Sequence, residues 1–193
     1  LTAPGLGEWI SGVILYDETI RQSTREGMPF ARHLADHGIL PGIKVDKGTQ
    51  PLAGCPGEVV TEGLDGLRPR LEEYYKLGAR FAKWRAVIRI GDDTPTGTCI
   101  DANCHALARF AALCQEQGLV PMVEPEVLMD GDHDIEASFD VHVVLLRSLF
   151  VSLTVSAVTV LLAYPIAYYI SFRGGRHKNL WLFVIMVPFW TSY

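Results

Sequence analysis

No acidic residue follows Asp140, although the 193-residue chain carries 22 of them. Only Arg147, Arg173, Arg176 and Lys178 are charged beyond that point, which leaves 13 of the 17 basic residues among the first 140. So one-sided a distribution excludes a uniform domain. The mean hydropathy of +0.18 averages two solvents, an acidic water-facing part and a cationic apolar part that water alone does not keep folded.

Cysteine is sparse. Cys55, Cys99, Cys104 and Cys114 lack the paired spacing of a zinc site and the density of a small secreted scaffold, so reduced and mostly buried thiols are expected. The first ten residues have neither a basic n-region nor an apolar run, so they hold no signal peptide, and the first part is expected to be cytosolic. The chain opens on Leu1 rather than Met and stops inside an apolar run at Tyr193; both ends read as truncations.

Three short apolar segments each run into a polar turn: Ile10 to Tyr16, Gly42 to Val45 and Leu119 to Val123. A fourth strand is expected from Arg80 to Ile90. Between them Leu64, Leu67, Leu71, Tyr74 and Tyr75 recur at three- and four-residue steps, as do Leu107, Phe110, Ala111 and Leu113. Alternating strands and helices predict an α/β fold with a parallel sheet, whose chemistry sits where the strands end.

From Ser148 to Phe172 come 25 residues without a formal charge. At about 1.5 Å per residue, that run exceeds a hydrocarbon core of roughly 30 Å, and a transmembrane helix is expected over 148–172. Pro165 would kink it, and Tyr164, Tyr168 and Tyr169 suit the interface. The basic loop Arg173 to Lys178 would face the cytoplasm, and a second uncharged run opens at Asn179. The alternative for 148–172 is a core segment of a soluble protein.

Lys44, Asp46, Lys83, Arg85, Glu124 and Glu126 all fall at expected strand ends. Three cations at one mouth suit a doubly phosphorylated substrate, because each phosphate wants charge-assisted hydrogen bonds. Two carboxylates two residues apart on a strand share a face, which suits Glu124 and Glu126 to share a proton or hold a nearby lysine. A lysine crowded by cations becomes a better nucleophile or base. Taken singly, each of these residues is more often a solvated charge or a structural ion pair.

Longer stretches add weight: Gly12-Val-Ile-Leu-Tyr-Asp-Glu-Thr19, Gly42-Ile-Lys-Val-Asp-Lys-Gly48, Pro51-Leu-Ala-Gly54, Gly63-Leu-Asp-Gly-Leu67, Phe81-Ala-Lys-Trp-Arg85, Val123-Glu-Pro-Glu126 and Asp130-Gly-Asp-His-Asp134. In these stretches, over residues 1–140, the chain resembles the class I fructose-bisphosphate aldolases. The resemblance implies part of a (β/α)8 TIM barrel, from a homo-oligomeric glycolytic lyase that cleaves fructose 1,6-bisphosphate to dihydroxyacetone phosphate and glyceraldehyde 3-phosphate through a Schiff base. No metal, cofactor or nucleic acid is implied. Lys44 and Arg85 would bind phosphate and Lys83 would lie beside the Schiff base. Glu124 would be the general acid/base, Glu126 would support the active lysines, and Asp46 would orient its neighbours. The family's Schiff-base lysine lies on a later strand, where this chain has Ile166, and no lysine occurs between Lys83 and Lys178. Covalent turnover is therefore not expected of this chain.

Leu145-Leu-Arg-Ser-Leu149, Tyr164-Pro-Ile-Ala-Tyr168 and Val187-Pro-Phe-Trp-Thr-Ser192 resemble the spermidine/putrescine-type ABC transporter permeases. The expected organisation is thus a chimera: a partial aldolase barrel over 1–140, a junction at 141–147 within a window of 140–153, and a permease piece over 148–193, whose second span begins at 179–193. The first part would be cytoplasmic and the last in the inner or plasma membrane. Two other readings stand beside this one: a transporter fragment with an accidental soluble leader, and a membrane-anchored module that holds sugar phosphates.

Overall fold

Along Phe81–Ile88 every second side chain is buried and every other one only half so. That strict alternation marks a strand covered by helices on one face and lining a cleft with the other. In the computed structural model, which describes residues 1–151 and 154, this strand is an inner strand of a four-stranded sheet. Residues 1–149 form one compact unit, and a second begins at Phe150.

The first unit opens with a short 3-10 turn at Leu6–Glu8. Its elements then run β1 (Gly12–Leu15), α1 (Asp17–Ile20), α2 (Phe30–Asp36), β2 (Leu40–Lys44), β3 (Thr49–Pro51), β4 (Val59–Thr61), α3 (Leu67–Leu77), β5 (Phe81–Ile88), α4 (Gly97–Glu116) and β6 (Val120–Val127). A last helix, α5, is described over 135–151. Strands β1, β2, β5 and β6 lie side by side in that order, all parallel, while β3 and β4 pair as a separate antiparallel hairpin. Neighbours in space follow chain order, as in a (β/α)8 barrel; a doubly wound sheet reverses its order at a switch point.

The outer face holds the core. Ala82, Trp84 and Ala86 of β5 pack with Ile43 of β2, Leu67, Leu71 and Tyr74 of α3, and Leu107, Phe110 and Cys114 of α4. The Trp84 and Phe110 ring centroids stand 5.5 Å apart. Each such large side chain, once buried, contributes about 1.5–3 kcal/mol. On the inner face Gly42 is required, because a Cβ there would lie 2.2 Å from the Phe81 ring.

The four expected strands and the two expected long helices are present, with one change of extent. The strand expected to stop at Val123 continues to Val127, so Glu124 and Glu126 lie within it rather than beyond it. The β3–β4 hairpin was not expected. The expected junction 141–147 is helical, and its Val141 and Leu145 pack on Ile88, Cys99, Ile100, Cys104 and Val127. Among the described residues no helix is long and apolar enough to cross a membrane. Apart from its first few positions, the transmembrane helix expected over 148–172 lies outside the described residues, as does the start of a second span at 179–193.

Candidate active site

The charged residues were expected at strand ends, but only Lys44 closes its strand: Lys83 and Arg85 lie inside β5 (Phe81–Ile88) and Glu124 and Glu126 inside β6 (Val120–Val127), so the charges form a row across the inner face of the sheet. Lys44 closes β2 and stands opposite Lys83 of β5, while Arg85 stands opposite Glu124 of β6 and Val87 opposite Glu126. All six residues named from the sequence lie along these three adjacent strands or just beyond β2. Of the two roles the sequence left open for Glu124 and Glu126, sharing a proton or holding a nearby lysine, the structure shows the second for Glu124.

Each cation meets a carboxylate. Lys44 Nζ lies 2.5 Å from Asp46 Oδ1, Lys83 Nζ lies 2.5 Å from Glu124 Oε2, and Arg85 Nε donates to Glu126 Oε2. The two cross-strand pairs are successive steps of one diagonal across the β5–β6 ladder. Glu124 therefore holds a lysine instead of sharing a proton with Glu126. The cluster is three pairs of opposite charge, so an incoming anion competes with a carboxylate for each cation.

Depth decides how easily. The Asp46 side chain is 3% exposed and that of Lys44 25%, whereas Arg85 and Glu126 are 41% and 36% exposed. An ion pair as open as the latter contributes about 0–1 kcal/mol, so an anion of higher charge density can replace Glu126 on Arg85. Asp46 is better anchored, since Oδ1 also accepts the Gly48 amide and Lys44 Nζ also donates to the Asp46 carbonyl. Lys44 is thus held on two sides by one residue.

Three supports were not identified from the sequence. Arg70 of α3 donates to the carbonyls of Val45 and Gly63, fixing the chain just past β2. The Thr61 hydroxyl donates to the Arg85 carbonyl at 2.7 Å. Asn103 of α4, fully buried, donates to the carbonyls of Val59 and Cys99 and accepts the Thr61 amide. The one available signal was a polar residue on the apolar stripe of α4. Among the described residues no group of His, Cys, Asp and Glu side chains is placed to hold a metal ion.

Residues 1–163 match the family model described as fructose-bisphosphate aldolase class-I. That match runs past the limit of 140 expected from the sequence. The chain is 77% identical over 150 residues to a probable fructose-bisphosphate aldolase class 1 of Xylella fastidiosa, covering 78% of this chain and 45% of that protein. It is 56% identical over 135 residues to the cytosolic fructose-bisphosphate aldolase 4 of Arabidopsis thaliana, covering 70% and 34%. Among solved structures, the fructose-bisphosphate aldolase of Plasmodium falciparum, crystallised with TRAP and a small-molecule inhibitor, superposes with a TM-score of 0.73 at 47% identity, over 76% of this chain and 43% of that one. The chain spans less than half the length of these relatives.

Proposed function

The chain belongs to the class I fructose-bisphosphate aldolase family, and on that premise we propose that its first 149 residues are the phosphate-recognising part of an aldolase barrel, able to hold a sugar bisphosphate but not to cleave it. The observation that carries this reading is the row of ion pairs on the inner face of β2, β5 and β6. Lys44 and Arg85 take phosphate oxygens, Arg85 by exchanging Glu126 for the ligand. Asp46 keeps Lys44 aimed into the cleft. The proton transfer that the resemblance gives to Glu124 needs a carbinolamine on the missing lysine, so in this chain the contact between Glu124 and Lys83 serves only to hold charge at the site.

Cleavage of the carbon–carbon bond needs the electron sink of a protonated imine, formed by a lysine at a fixed strand end. With Ile166 where the resemblance puts that lysine, ligand binding is separated from turnover. The test has two arms. Fructose 1,6-bisphosphate should bind measurably by calorimetry while fructose does not. Borohydride with dihydroxyacetone phosphate should leave the chain unlabelled under conditions that label a complete aldolase. A stoichiometric adduct on Lys83 would overturn the separation, and equal binding of fructose would overturn phosphate recognition.

Cytosolic placement of the first part is supported by the name of the Arabidopsis relative. Membrane insertion of 148–193 is supported by the uncharged run alone, and the permease ancestry read for that segment has no support from the relatives or from the aldolase match, which already takes in residues up to 163. Alkaline extraction of membranes from expressing cells separates the outcomes, since a spanning chain stays with the lipid and a peripheral one is released.

A further inference from the structure

The turn between β3 and β4 places a half-buried thiol and a buried carboxylate against the start of α4. Within it the Leu52 amide donates to the Glu58 carbonyl, the Cys55 amide to the Leu52 carbonyl and the Glu58 amide to the Cys55 carbonyl, which closes the loop on itself. The Glu58 carboxylate accepts the Thr96 amide at 2.7 Å and the Thr96 hydroxyl at 2.6 Å. Thr96 is the N-cap of α4, and its hydroxyl oxygen also accepts the Cys99 amide at 3.2 Å. Cys55 Sγ lies 3.9 Å from that same oxygen, and Cys99 Sγ lies 3.7 Å from the carbonyl oxygen of Val59, the residue that follows Glu58. Two sulfurs from segments far apart in sequence thus flank a single Glu–Thr contact. All four cysteines are free thiols.

We infer that Cys55 and Cys99 form a dithiol site for hydroperoxide oxidation, closing to a disulfide that ties the β3–β4 loop to the first turn of α4. Cys55 is the entry point because it is the only one of the four cysteines that is not buried. Its sulfur attacks one peroxide oxygen, the O–O bond breaks, and the departing hydroxide or alkoxide takes up the thiol proton, leaving a sulfenic acid. The Cys99 sulfur then displaces hydroxide from the Cys55 sulfur, and the Cys99 proton converts that hydroxide to water. Two thiols and one hydroperoxide give one disulfide, one water and one further water or alcohol.

Burial, with the Glu58 charge second, pushes the Cys99 thiol up to about 11, and since Cys55 borders the same carboxylate it is burial that makes Cys99 the resolving group. Cys104 and Cys114 are buried elsewhere on α4 and provide internal controls. None of its residues belongs to the row of ion pairs, although the same hairpin meets β5 where the Thr61 hydroxyl donates to the Arg85 carbonyl.

The test treats the full chain, purified in mild detergent, with a small excess of hydrogen peroxide. The thiol count after denaturation should fall from four to two, the intact mass should drop by two hydrogens, and digestion should yield one peptide pair joined through Cys55 and Cys99. Cys99→Ser should prevent the cross-link and leave Cys55 to oxidise further to the sulfinic acid. Should the Cys99 variant fail to fold, mapping on the unsubstituted chain still decides. A Cys55 that ends as sulfinic acid there, or that links to a second chain, overturns the proposal, as does loss of Cys104 and Cys114 at the same rate.

Discussion

The two faces of the central sheet are made from the same strands yet behave as different materials. On the outer face of β5, Ala82, Trp84, Ala86 and Ile88 are essentially without solvent contact. On the inner face Lys83 and Arg85 are partly exposed, and each is matched to a carboxylate of β6. A pleat of period two assigns packing to one set of residues and charge to the other, so stability and ligand recognition can be altered separately.

The largest effect should come from the outer face. Trp84→Ala removes the ring that stacks on Phe110 and leaves a cavity the sheet cannot close, at a cost of about 3–5 kcal/mol. Urea unfolding followed by circular dichroism measures it, and a loss below 1 kcal/mol would mean that this face is not packed as described. Asn103→Ala should follow. It deprives the Val59 carbonyl and the Thr61 amide of a partner, and a buried polar group left unpaired costs about 1–3 kcal/mol. Were Asn103→Ala neutral by the same measurement, the hairpin would not be tied to α4 through this side chain.

How much of this was legible in the sequence depends on which interactions are local. Strands β1, β2, β5 and β6 show as apolar runs, and α3 and α4 as three- and four-residue spacing, because both signals come from a single element facing one core. The β3–β4 hairpin was hidden because Gly48, Pro51, Gly54 and Gly57 around its two three-residue strands read as loop. Along the row of ion pairs, residue types were readable but partners were not. That Lys83 meets Glu124 depends on the β5–β6 register, a property of two strands at once, so the sequence allowed a carboxylate to hold a lysine without saying which one meets which. Asn103 was obscured for the same reason, since its partners come from a hairpin that the sequence did not reveal.

A smaller effect tests the joint between loop and helix. Burial works to raise the Glu58 pKa, but the hydroxyl and amide of Thr96 outweigh it and hold the carboxyl below its ordinary value of 4.5. The ionised form therefore stabilises the fold. That contribution is present in full above about pH 4.5 and is lost as pH falls through the lowered folded value. Glu58→Gln should remove this component, so its stability deficit relative to the parent should narrow in acid. A deficit that grows on acidification would reverse the assignment. Thr96→Ala, which removes the cap hydroxyl, should cost about 1 kcal/mol at neutral pH.

The smallest change in stability should come from the inner face, and it separates the two faces most sharply. In Arg85→Gln the Glu126 carboxylate loses its partner while remaining 36% exposed, so water solvates it and the net loss should lie within about 1 kcal/mol. Phosphate recognition should change much more. A guanidinium gives a phosphate two parallel charge-assisted hydrogen bonds, and an amide can replace neither its charge nor its fork. Each such contact is worth about 1.5–3 kcal/mol, which corresponds to a roughly 10- to 100-fold weaker affinity for fructose 1,6-bisphosphate. The partner substitution supplies the opposite sign. Glu126→Gln frees Arg85 from its competing carboxylate, so it should bind the bisphosphate more tightly than the parent at low salt, with the gain shrinking as ionic strength rises. Calorimetry on the two variants at two salt concentrations is enough. If Glu126→Gln weakens binding as much as Arg85→Gln does, the carboxylate positions the arginine for the ligand, and the exchange of Glu126 for phosphate is wrong.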